Sequence, residues 1–213
     1  MPMTLDEIGK KYETDKSSHP GFQRWPFIMK GHDYCRHYSL FFEEFRDQPI
    51  RFLEIGIGTS ESMRTWLEYF TKAKIYGVDN DQAFVDYLAL FKDERLISVL
   101  GDQTSESFWD SFIKEQGGSF QVIIDDGCHE APAVQTTFII MWAHVVPGGL
   151  YCIEDVFTLY SKKSSPDGST FLNNLCGGLH TKDWPPDLQM TNLVLDTQLI
   201  YLVKGLVIIK KVA

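Results

Sequence analysis

Residues 52–60 read Phe-Leu-Glu-Ile-Gly-Ile-Gly-Thr-Ser, an apolar run with β-branched Ile55 and Ile57 that enters a glycine-bearing turn. The segment after it, Glu61–Phe70, puts Met63, Trp66, Leu67 and Phe70 at helical spacing. The stretch predicts a strand, a tight turn and a helix, with Ser60 placed to cap the helix. Gly56 and Gly58 carry no Cβ, so the backbone there can bend sharply and approach a ligand closely. Helix-end N–H groups facing such a turn favour a carboxylate or a phosphate.

Two details narrow the ligand. A pyrophosphate cradle needs Gly-x-Gly-x-x-Gly, and the third position here holds Glu61. A carboxylate one turn from a pyrophosphate repels it, which disfavours NAD. Glu54 stands two residues before Gly56. The resulting Glu-x-Gly-x-Gly pattern resembles the first motif of class I S-adenosylmethionine (SAM) methyltransferases, where the acid and loop meet an ammonium, a sulfonium and a carboxylate. On this stretch alone, an ordinary glycine turn stays open as the alternative.

The length of 213 residues fits a single domain, 1–213. The net charge of −9 argues against nucleic acid or an anionic membrane surface as partner, because phosphate contacts need clustered Lys and Arg. No stretch reads as a signal peptide, and no apolar run is long enough to span a bilayer. Cys35, Cys128, Cys152 and Cys176 form no Cys-x-x-Cys pair, which favours a reduced, cytoplasmic protein over a disulfide scaffold or zinc site.

Residues 1–49 precede the first clear strand. Leu40, Phe41, Phe42 and Phe45 there suggest an amphipathic helix packed on the sheet. Asp15, Lys16, His37 and Tyr38 read either as a solvated surface with one core aromatic or as a lid over a cofactor. From Arg51 the chain alternates strand and helix patterns, the signature of a parallel sheet covered on both faces. Strands are expected at Ala73–Asp79, Leu96–Leu100, Phe120–Ile124 and Leu150–Ile153. Helices are expected at Gln82–Phe91, Glu106–Glu115 and Ala133–Val145, with Pro147-Gly148-Gly149 as a turn. Phe157–Asp187 is the most loop-like part, and 156–190 is expected to be a lid or a short-helix insertion. Leu199–Val203, Lys204-Gly205 and Leu206–Lys210 form a closing hairpin, which places an antiparallel strand in the sheet.

The strand ends gather carboxylates: Glu54 near the first, then Asp79, Asp102, Asp125 with Asp126, and Glu154 with Asp155. Ligands of open α/β sheets bind outside these ends, so the acids should crowd one rim, where cations or ligand hydroxyls offset their repulsion. Asp79 is suited to accept from both hydroxyls of a ribose, and Asp102 from an adenine amine. Asp126, Glu154 and Asp155 are three hard oxygen ligands suited to an octahedral Mg²⁺. His129 would stand beside that metal. For each acid the competing reading is a helix cap, and for His129 an ordinary surface histidine.

With these residues in hand, the chain resembles the metal-dependent class I O-methyltransferases of macrolide sugars, the mycinamicin and demethylmacrocin type. The resemblance runs through Thr14-Asp15-Lys16, His37-Tyr38, Leu53-Glu54-Ile55-Gly56, Tyr76-Gly77-Val78-Asp79 and Gly101-Asp102-Gln103. It continues through Ile123-Ile124-Asp125-Asp126-Gly127-Cys128-His129 and Gly148–Asp155. The Asp-Asp-x-x-His and Glu-Asp motifs are far more specific than the glycine turn. The resemblance implies a Rossmann-like α/β fold with a seven-stranded sheet of order 3-2-1-4-5-7-6, strand 7 antiparallel. It implies SAM held by Glu54, Gly56, Gly58, Ser60, Asp79 and Asp102, with Gln103 and Asp125 included in the same cofactor set. It implies Mg²⁺ on Asp126, Glu154 and Asp155, with His129 as general base, and relatives of this type are often homo-oligomers.

The chain departs from the pattern at Ser60 and Glu61, where many relatives have small residues, and at Cys128, where Ser is commoner. The extra N-terminal domain of the larger macrolide enzymes has no counterpart in these residues. The expected activity is Mg²⁺-assisted, SAM-dependent methylation of a hydroxyl on a sugar-like or polyhydroxylated small molecule. A catechol-type O-methyltransferase and a non-catalytic SAM-binding module are the alternatives.

Overall fold

The computed structural model describes residues 2–24, 27–158, 168–180 and 188–213. They fall into two compact units, 1–100 and 101–213.

The first unit opens with α1 (Leu5–Tyr12), started by a reciprocal cap. Thr4 Oγ accepts from the Glu7 N–H, and the Glu7 carboxylate accepts from the Thr4 N–H at 2.7 Å. A small antiparallel hairpin, β1 (Phe22–Arg24) and β2 (Phe27–Met29), precedes α2 (Tyr34–Phe42). The expected aromatic helix is therefore α2 followed by a 3-10 turn at Glu43–Phe45. Strand β3 (Arg51–Ile55), helix α3 (Glu61–Tyr69), strand β4 (Lys74–Asp79), helix α4 (Gln82–Ala89) and strand β5 (Leu96–Leu100) then alternate as the sequence predicts, and β3, β4 and β5 pair in parallel. Helical spacing on α3 turns Trp66 inward, where its ring lies 5.3 Å from that of Phe52 and 5.9 Å from that of Phe42. Each such fully buried aromatic stabilises the unit by roughly 1.5–3 kcal/mol.

The second unit carries α5 (Glu106–Gln116), β6 (Phe120–Asp125), α6 (Ala131–Trp142) and β7 (Val145–Ile153). After them come α7 (Gly168–His180), α8 (Leu188–Leu195), β8 (Thr197–Val203) and β9 (Leu206–Lys211). Strand β7 runs parallel to β6, and β9 is antiparallel to both β7 and β8. The full sheet order is β5-β4-β3-β6-β7-β9-β8. That is 3-2-1-4-5-7-6 with the last strand antiparallel, the α/β methyltransferase arrangement that the resemblance implies.

Two boundaries differ from expectation. Pro147-Gly148-Gly149 is not a turn but part of β7, which starts at Val145 opposite Phe120. A register shift between Phe120 and Val122 absorbs the proline, which has no N–H to give to a ladder. Helix α6 accordingly ends at Trp142 rather than Val145. The stretch Phe157–Asp187 contains α7, so it is helical over Gly168–His180, while Ser164–Asp167 and Pro185-Pro186 lie outside the described residues. Among the described residues no helix is long and apolar enough to cross a membrane.

Candidate active site

In the first unit, β3 delivers the glycine turn. Gly56 and Gly58 have φ of 82° and 44°, the left-handed region that favours glycine, and a Cβ added at Gly58 would meet nothing within 4 Å. The turn is held by Asp79 at the end of β4. Its Oδ2 accepts from the N–H groups of Ile57 and Gly58 at 2.9 and 3.1 Å, and its Oδ1 accepts from the Asp81 N–H at 2.9 Å. Ser60 occupies the N-cap position of α3 but makes no capping bond, contrary to expectation. Its φ of 69° departs from the extended backbone that side-chain capping requires. The Ser60 hydroxyl is buried and bonds to no described residue.

Glu54, expected as a cofactor contact, is turned into the interior of the unit. Its side chain is 0 % exposed, and Oε2 accepts from Ser62 Oγ and Trp66 Nε1, each at 2.9 Å. Its Oε1 lies 3.5 Å from Lys16 Nζ, itself 1 % exposed. Lys16 is therefore neither a solvated surface residue nor a lid residue. It is the buried counter-charge of Glu54.

In the second unit, Asp102 is exposed and folds back on its own turn. Its Oδ1 accepts from the N–H and the hydroxyl of Thr104 at 2.8 and 2.7 Å, which holds its carboxyl below the usual range. Asp79, Asp102, Asp125 and Asp126 are not the N-cap residues of the helices that follow them. The N-cap residues that bond are Asp81 for α4 and Ser105 for α5, while Glu130 at the N-cap of α6 makes no side-chain bond.

Gln103 and Asp125, placed in the cofactor set from sequence, are buried and bonded to the loop after β6. Gln103 Nε2 donates to Asp125 Oδ1 at 3.2 Å, and its Oε1 accepts from the Cys128 N–H at 2.7 Å. A Cβ at Gly127 would overlap Gln103 Oε1, so this close approach requires glycine. Tyr151 on β7 donates its hydroxyl to Asp125 Oδ2 at 3.3 Å. Burial pushes the Asp125 carboxyl up to about 6, against the opposing pull of the Gly127 N–H, Gln103 and Tyr151. Burial likewise pushes the Tyr151 hydroxyl well above its ordinary value.

That loop and the one after β7 bring Asp126, His129 and Asp155 together, all half-buried, with one potential ligand atom from each within 4.8 Å of the others. His129 Nε2 lies 3.8 Å from Asp126 Oδ1 and 3.7 Å from Asp155 Oδ2, an ion pair whenever the ring is protonated. His129 and Asp155 both have positive φ, 55° and 50°, a conformation uncommon outside glycine and one that clusters at functional sites. Glu154, the third metal ligand expected from sequence, is buried and stands outside this group. Its N–H donates to the Asp125 carbonyl at 3.0 Å, which ties the two loops at their base. Two imidazole or carboxylate donors would suit many metals, and two carboxylates beside a histidine suit a hard divalent cation such as Mg²⁺. Sequence reading singled out Lys16 and the motif that holds Tyr151 but not their partners Glu54 and Asp125, since a buried charge or phenol is defined by a residue far along the chain.

No protein-family profile matches the chain. It is 37% identical over 164 residues to a mycinamicin VI 2''-O-methyltransferase of Micromonospora griseorubida, a match covering 73% of this chain and 37% of that protein. It is 32% identical over 191 residues to an L-olivosyl-oleandolide 3-O-methyltransferase of Streptomyces antibioticus, covering 81% of this chain and 44% of that protein. Among solved structures, the MycE methyltransferase of the mycinamycin biosynthetic pathway, in complex with Mg, SAH and mycinamycin VI, superposes with a TM-score of 0.78 at 26% identity. That superposition covers 99% of this chain and 55% of the other. The chain thus spans less than half the length of the sequence relatives it matches.

Proposed function

We propose, for a chain homologous to the macrolide and sugar O-methyltransferases, that it moves the methyl group of SAM to a hydroxyl of a sugar-bearing small molecule with the help of Mg²⁺. The observation that carries this reading is the convergence of Asp126, His129 and Asp155 on two loops that the sheet topology brings side by side.

Each residue then has a task. The glycine turn, whose Ile57 and Gly58 N–H groups are engaged by Asp79, offers the unbonded Ser60 hydroxyl to the amino-acid end of SAM. Asp79 keeps acceptor capacity for the ribose, and Asp102, exposed at the end of β5, offers a carboxylate to the adenine. Asp126 and Asp155 would hold the cation, with Glu154 as the third carboxylate of the expected set. A bound Mg²⁺ supplies Lewis-acid stabilisation to the negative charge that develops on the acceptor oxygen.

His129 takes the hydroxyl proton as the oxygen–carbon bond forms and the carbon–sulfur bond breaks, leaving neutral S-adenosylhomocysteine. Imidazole is the side chain suited to a proton exchange near neutral pH. The acceptor is a small molecule rather than a nucleic acid, in keeping with the net charge of −9. The reading also includes a cytoplasmic setting, in keeping with four free cysteines, and assembly as a homo-oligomer.

The test is incubation with SAM, Mg²⁺ and a panel of glycosylated macrolides, with mass spectrometry of the products. Gain of one methylene on the sugar, abolished by excess chelator, is the expected result. Methylation confined to catechols would move the acceptor to the phenolic class, and full activity in chelator would remove the metal.

A further inference from the structure

We infer that Thr158 is a positioning residue for the acid–imidazole group, a hydroxyl clamp between the loop that carries His129 and the loop that carries Asp155. The inference rests on the metal-assisted reading above and adds a residue to it.

Thr158 closes the 3-10 turn Val156–Thr158 that follows β7. Its Oγ1 donates toward two carbonyl oxygens, that of His129 at 2.9 Å and that of Asp155 at 2.8 Å. Its own N–H donates to the Asp155 carbonyl at 2.9 Å. The bond to Asp155 is the short-range habit of threonine hydroxyls. The bond to His129 is of another kind, because it reaches across 29 positions to a loop that follows a different strand.

The two carbonyls belong to the two residues whose side chains face each other, with Nε2 and Oδ2 3.7 Å apart. They are also the two residues of the group with left-handed backbone, at φ of 55° and 50°. Such a conformation is unfavourable for a non-glycine residue and persists only where the surroundings hold it. A hydrogen bond on the carbonyl fixes the following peptide plane, and with it the direction of the side chain before that plane. One hydroxyl therefore sets the aim of both His129 and Asp155. Supports of this kind around a metal typically account for about 10–100-fold in affinity.

The experiment is a calorimetric titration of Mg²⁺ into the full chain saturated with S-adenosylhomocysteine, for wild type, T158V, T158A and T158S. Loss of the hydroxyl in T158V should weaken Mg²⁺ by about 10–100-fold while S-adenosylhomocysteine affinity stays at the wild-type level. T158S, which keeps the hydroxyl, should restore tight binding, a rescue that a merely space-filling threonine would not give. T158A covers the case in which the valine variant does not fold. Wild-type Mg²⁺ affinity in either hydroxyl-less variant overturns the clamp while leaving the metal site standing. No Mg²⁺ binding by the wild type overturns the metal reading and the clamp with it.

Discussion

Lys16 Nζ stands 3.5 Å from Glu54 Oε1, and both side chains are sealed from solvent. The pair joins the segment after α1 to the strand that carries the glycine turn. Removing one partner leaves a buried charge without its counter-ion, which is far worse than removing both. Lys16→Met should cost about 3–5 kcal/mol of stability in chemical denaturation. The double variant with Glu54→Gln should recover part of that loss. Equal stabilities for the wild type and Lys16→Met would show that the pair contributes nothing.

Asp79 holds the glycine turn through two N–H bonds to one carboxylate oxygen. Hydrogen bonds to a charged group contribute about 1.5–3 kcal/mol each. Asp79→Ala should therefore weaken S-adenosylhomocysteine binding at least about tenfold by calorimetry. NAD should not bind either form. Unchanged affinity in the variant would detach the turn from the cofactor.

His129→Ala tests the base. A positioned general base contributes about 10²–10⁴-fold in rate, so kcat should fall within that range. Affinity for S-adenosylhomocysteine should stay nearly intact, because the imidazole serves the acceptor hydroxyl and not the cofactor. Turnover at the wild-type rate would place the proton acceptor elsewhere.

Asp125 gives the fold a pH dependence with a definite sign. Its carboxyl is raised from 3.8 to about 6 by burial, so between those values the folded protein keeps a proton that the unfolded chain has lost. The resulting stabilisation is complete below the lower value and disappears as pH rises through the upper one. Asp125→Asn removes the titration. In chelator-treated protein, the melting temperature of wild type relative to the variant should fall between about pH 4 and about pH 7. A constant difference across that range would mean that the carboxyl is not shifted in the fold.

The sequence made the sheet legible because strand and helix periodicities alternate cleanly from Arg51 onward and the parallel strands have acids at or near their ends. A short-helix insertion was one of two expectations for 156–190, and the span of helix α7 within it was illegible for a physical reason. Gly177 and Gly178 read as breakers, since glycine disfavours helix interiors by about 1 kcal/mol. In the fold, a Cβ at Gly178 would lie 2.5 Å from Val194 on α8, so that glycine serves close packing of two helices and not a turn. The site divides in the same way. The gathering of Asp126, His129 and Asp155 was readable from strand-end position, whereas the bonds from Asp79 to the glycine turn were not. The inward turn of Glu54, the support roles of Gln103 and Asp125 and the separation of Glu154 depend on partners such as Lys16, Thr137 and Tyr151, which no local pattern marks.

The left-handed backbone at His129 and Asp155 bears on how this chain can change over time. Asp, Asn and His are several-fold enriched among non-glycine residues in that conformation, whereas β-branched side chains are outliers there. Backbone shape thus screens replacements at these two positions before any chemistry does. The side chains it admits are largely the ones that bind cations or carry protons. A β-branched replacement at 129 or 155 should therefore strain the backbone whatever its side chain does, whereas Asn or Gly should leave the two loops in place.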